Sequence, residues 1–119
     1  MEKSINTIAW RLFETLTPSV GLSYLREMNF AKLDRGDANL SAALGGFTNG
    51  VSPVEMTAGY AAIENDGKYR IPTCITKIQN AQGEDVYLSG QQEKVIYKEN
   101  AARTMTDILQ GVLTKGTAA

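Results

Sequence analysis

The chain has 119 residues, with 12 Lys and Arg against 13 Asp and Glu and a net charge of −1. It is therefore one domain or a piece of one, and its scattered charge gives no support to nucleic-acid binding. It contains no histidine and one cysteine, which removes Ser-His-Asp and Cys-His hydrolases, most zinc sites and any internal disulfide. Acid–base work, where it occurs, falls to Lys, Asp, Glu, Tyr or Ser.

Residues 4–16 are predicted as an amphipathic helix, with Ile5, Ile8, Ala9, Leu12, Phe13 and Leu16 on one apolar face. Ser4 is placed to cap it. Thr17-Pro18 ends it, because the residue before proline avoids the helical region, and Pro18 suits the first turn of a second helix over 18–29. Val20, Tyr24, Leu25 and Met28 give that helix its face. Residues 30–51 read as loop, and Asp34-Arg35-Gly36-Asp37 as a solvated turn.

A better-punctuated helix follows. Ser52-Pro53-Val54-Glu55 is a capping box with proline at the first helical position, and Asp66-Gly67 stops the helix. Val54, Thr57, Tyr60, Ala61 and Ile63 recur at mixed helical spacing. The small residues Ala58, Gly59, Ala61 and Ala62 predict close packing against a neighbour. Residues 71–79 read as a strand, with Cys74 in it as a small buried hydrophobe. A hairpin turn at 80–85 precedes short strands at 86–88 and 95–97, and a last helix runs over 99–114 with Ala101, Met105, Ile108, Leu109 and Val112 on one face. Trp10 and Tyr60 are expected to pack, Asp66 to serve a helix end and Asp107 a solvated face. No signal peptide and no run of about 18 apolar residues is found.

These strands are few and short for so much apolar helix face, and a free-standing hairpin is marginal in water. The order of the pieces resembles the transpeptidase domain of class A penicillin-binding proteins, the bifunctional peptidoglycan synthases of the 1A type. The resemblance rests on Ser4-Ile5-Asn6 opening a helix, Ala43-Leu44-Gly45-Gly46, the run Gly50-Val51-Ser52-Pro53-Val54-Glu55-Met56, and Met105-Thr106-Asp107-Ile108-Leu109-Gln110-Gly111-Val112. It covers nearly the whole chain. It implies an α+β fold: amphipathic helices packed against part of an antiparallel sheet.

The family's site has a Ser-x-x-Lys with the nucleophile, a Ser-x-Asn at a helix head and a Lys-Thr-Gly on a strand. A lysine of lowered pKa then replaces histidine as the base. By resemblance, Ser4 passes a proton between that lysine, the nucleophile and the departing amine, and Asn6 holds the substrate amide and the lysine. Taken alone, a serine at a helix start is more often a cap.

The chain departs from the pattern at two motifs. Ser4, Ser19, Ser23, Ser41, Ser52 and Ser89 are followed at the third position by Thr, Leu, Arg, Leu, Glu and Gln, so no Ser-x-x-Lys exists. Lys115-Gly116-Thr117 carries the Lys-Thr-Gly letters in another order. The expectation is a partial transpeptidase domain over 1–119, incomplete at both ends and inactive alone. The parent is expected to be anchored in the membrane with this domain on its outer face. Its expected partners are peptidoglycan stem peptides and β-lactams, with no cofactor, and the segment is expected to self-associate through uncovered apolar faces. The alternatives are a related serine β-lactamase or carboxypeptidase, or a non-catalytic interaction module that tolerates loss of Ser4 and Asn6.

Overall fold

The computed structural model describes residues 1–119. In chain order the elements are α1 (Asn6–Leu16), α2 (Pro18–Glu27), 3-10 turns at Arg35–Asp37 and Leu40–Leu44, α3 (Pro53–Glu64), β1 (Lys68–Arg70), β2 (Lys77–Gln79), β3 (Asp85–Leu88), β4 (Glu93–Val95) and α4 (Glu99–Thr114). The strands form two separate antiparallel pairs, β1 with β4 and β2 with β3. The architecture is α+β, as the sequence leads one to expect.

The capping box starts α3 as its residues dictate: the Ser52 hydroxyl accepts the Glu55 amide (3.2 Å) and the Glu55 carboxylate accepts the Ser52 amide (2.8 Å). Small side chains on α3 then let the core close. Ala58 and Ala62 are buried with Met28, Phe30, Tyr69 and Ile96, and Leu25, Leu33, Val51 and Tyr97 pack around them. Val54, read at helical spacing, and Tyr60, expected to pack, are both exposed. The turn out of α3 depends on Gly67, which is buried with φ +85°. A Cβ there would strike the Tyr97 carbonyl, and the Gly67 carbonyl accepts the amides of Ile96 (2.9 Å) and Tyr97 (3.1 Å).

That junction corrects the strand boundaries. The expected strand over 71–79 is broken. β1 comes earlier, Pro72 has no amide to continue a ladder, and residues 71–76 are exposed without strand structure before β2 begins. Cys74 lies in this stretch and is exposed, not buried. The last strand falls at 93–95 because Ile96 leaves the ladder to enter the core. α2 stops two residues short, and Asn29 turns the chain at φ 58°. The hairpin turn falls where expected, closed by Asn80 N–H to Glu84 O (2.9 Å) and Gly83 N–H to Asn80 O (3.0 Å).

Only 11 of 119 residues are buried. The radius of gyration is 17.4 Å, against about 13–14 Å for a compact domain of this length. The expected apolar face of α1 buries no residue, with Leu12 68% and Ile8 57% exposed. Trp10, expected to pack, is 39% exposed. Core and uncovered positions should therefore answer differently to truncation. Met28→Ala is expected to lower unfolding stability by about 2–5 kcal/mol and Leu12→Ala by less than about 0.5 kcal/mol, read as shifts in the urea midpoint.

Candidate functional site

The Ser4-x-Asn6 turn stands at the head of α1. Ser4 does not cap the helix. It adopts a left-handed conformation (φ 49°) in a turn closed by its amide donating to the Met1 carbonyl at 3.0 Å. Ile5, extended at φ −83°, is the N-cap residue, and no side chain caps the helix. The cap expected of Ser4 fails because a left-handed residue one position earlier aims its hydroxyl along a different path from an extended N-cap serine. Ser4 and Asn6 are both exposed.

Two cavities flank the turn. One, of about 420 Å³, is lined by Asn6, Thr7, Trp10, Arg11 and Leu44. The other, of about 350 Å³, is lined by Met1, Glu2, Lys3, Ile5, Ile8 and Ile108. Asn6 and Trp10 share one side of α1 by their four-residue spacing. Ser4 lines neither cavity, so the two side chains are neighbours at one helix head but do not wall the same hollow. From the other end of the chain, Thr117 donates its amide to the Glu2 carbonyl at 3.1 Å. The end of α4 thus rests on the turn that carries Ser4.

The loop that brings Leu44 to this cavity is held by a buried carboxylate. Asp37, read from sequence as part of a solvated turn, is 1% exposed. Its Oδ1 accepts the hydroxyl and amide of Thr48, both at 2.7 Å, and its Oδ2 accepts the Asp34 amide at 2.8 Å. This closes residues 37–48 into a loop, and the 40–44 turn within it packs on α1 and presents Leu44 to the cavity. The Thr48 hydroxyl, then the two amides, hold the Asp37 carboxyl below its ordinary value despite burial. Glu55 has a second role that its capping motif does not reveal. Its other oxygen accepts the Ala31 amide at 2.9 Å, and that bond is the first cause of its lowered pKa, followed by the bonds to Ser52. Asp66 follows α3 with φ 54° and takes a two-point contact from Arg103 of α4 (2.9 and 3.2 Å), which lowers its pKa. It is a helix-end link, as expected. Asp107 is exposed.

The model of the penicillin binding protein transpeptidase domain matches residues 1–119, and the chain belongs to that family. It is 34% identical over 116 residues to penicillin-binding protein 4 of Bacillus subtilis (strain 168), covering 98% of this chain and 19% of that protein. It is 32% identical over 109 residues to penicillin-binding protein 1F of the same organism, covering 92% and 15%. With penicillin-binding protein 1A of Clostridium novyi (strain NT) it shares 28% over 120 residues, covering 99% and 14%. The chain thus spans less than a fifth of the length of these relatives.

The lowered carboxyl values of Asp37 and Glu55 set an acid limit. A carboxyl with a folded value below its unfolded one stabilises the fold above the unfolded value, and this is lost as pH falls through the folded value. Their ordinary values are 3.8 and 4.5, so the loss falls below that range. Thermal midpoints should be flat near neutral pH and drop on acidification past pH 4. Asp37→Asn should lower the neutral midpoint and flatten the acid limb.

Proposed function

We propose that residues 1–119 are the part of a peptidoglycan D,D-transpeptidase domain that contributes the Ser-x-Asn element of its site. The parent cross-links stem peptides through an acyl-enzyme on a serine outside these residues, and β-lactams acylate the same serine. The observation that carries this reading is the family match over the whole chain, with Ser4 and Asn6 exposed at the head of α1.

The chemistry follows from the residue types. A hydroxyl is both donor and acceptor. Ser4 can therefore take a proton from the lysine that activates the nucleophile and pass it to the departing amine. The Asn6 carboxamide offers both a carbonyl and N–H groups, so it can hold the substrate amide and the lysine together. The domain works on the outer face of the cytoplasmic membrane. No helix of this chain is long and apolar enough to cross a membrane.

In the protein that carries the complete domain, Ser4→Ala and Asn6→Ala should each slow acylation by fluorescent penicillin by roughly a hundredfold without moving the thermal midpoint. Unchanged acylation would identify a non-catalytic module instead. Residues 1–119 alone should take up no penicillin label. Their exposed apolar side chains, Ile5 at the head of α1, Ile8, Leu12 and Leu16 on it, and Ile108 and Leu113 on α4, should drive self-association. A monodisperse, cooperatively unfolding monomer in light scattering and calorimetry would contradict that.

A further inference from the structure

The contact between the two ends of the chain is closer than a single hydrogen bond. Gly116 lies so near the Glu2 backbone that a Cβ on it would strike the Glu2 carbonyl oxygen, and it would stand only 2.8 Å from the Val112 Cα. Both obstacles are backbone atoms, which cannot swing aside as a side chain can. Gly116 has no left-handed φ, so its requirement is space and not conformation. The next residue, Thr117, supplies the amide that the Glu2 carbonyl accepts, and the Ala118 amide bonds back to the Val112 carbonyl at 3.2 Å. The tail of α4 is thus tied to its own last turn and pressed on Glu2 at once. A Cβ on Gly111, earlier in α4, would first meet the Glu2 side chain, a flexible group.

Glu2 lies inside the Met1–Ser4 turn, which the Ser4 amide closes on the Met1 carbonyl and in which Ser4 is left-handed. We propose that Gly116 and the Thr117 amide form a clasp that positions the Ser4-x-Asn6 turn, so that Gly116 is a positioning residue for acylation although it touches no reacting atom. The proposal rests on the assignment of Ser4 and Asn6 to the site. Displacing the Glu2 backbone by the width of a methyl group would shift the turn by about an ångström, enough to cost ten- to a hundredfold in rate.

The test is a cycle in the protein that carries the complete domain, read as the second-order rate of acylation by fluorescent penicillin beside the thermal midpoint. Gly116→Ala should slow acylation by roughly ten- to a hundredfold. In the Ser4→Ala/Asn6→Ala background it should slow it no further, because the groups it positions are already gone. A full, additive loss in that background would reveal a general structural defect and overturn the clasp, as would an unchanged rate in Gly116→Ala. If Ser4→Ala/Asn6→Ala alone leaves acylation intact, the site assignment itself falls and the clasp falls with it. Should Gly116→Ala fail to fold, Thr117→Pro removes the amide donor without adding bulk at Gly116, and the same non-additive result is expected of it.

Discussion

Close approach at Ala58 and Ala62 of α3 is the contact on which the rest of the chain is assembled. With only methyl groups on that face, Tyr69 of β1, Met28 and Phe30 from the end of α2, and Ile96 after β4 meet over one helix. The consequences run outward along the chain. Gly67 turns β1 directly back on α3, and its carbonyl fixes Ile96 and Tyr97, so α4 must start where it does. Larger residues at 58 or 62 would hold these four neighbours off together, because packed interiors yield little.

The region between α2 and α3 is organised differently. It buries few apolar side chains and is held by two carboxylates that each accept backbone amides from distant residues. Asp37 draws Thr48 back to Asp34, and Glu55 joins the start of α3 to Ala31. Charge-assisted bonds of this kind are stronger than neutral ones, and they let a polar loop keep one shape. That shape carries Leu44 to α1, so the hollow beside Asn6 depends on a carboxylate far from it in function.

Beyond this core the chain is open. The faces of α1 and α4 that carry Leu12, Ile8, Ile108 and Leu113 are uncovered, and the β2–β3 hairpin projects with every residue exposed. The apolar surface that periodicity marked as a core face is exposed on both helices. Amphipathicity records which side of a helix is apolar, whether or not the covering partner is present.

Several elements could be read directly from residues. The capping box at Ser52 and Glu55, the break at Thr17-Pro18, the hairpin turn around Gly83 and the extent of α4 all lie within two residues of their expected positions, because each depends on neighbours a few positions away. Ser4 and Asn6 were legible only as a motif. The absence of a Ser4 cap, the left-handed turn and the close approach of Gly116 to Glu2 were not, since no local rule connects residue 2 with residue 116. The buried state of Asp37 was hidden for the same reason: a turn sequence looks solvated until a distant threonine closes over it. By itself, then, the sequence determined the helices and most of their boundaries, through short-range sterics and hydrogen bonding. Tertiary structure alone decided that Gly116 and Thr117 meet the Glu2 backbone beside Ser4, because that depends on backbone atoms brought together from positions far apart in the chain.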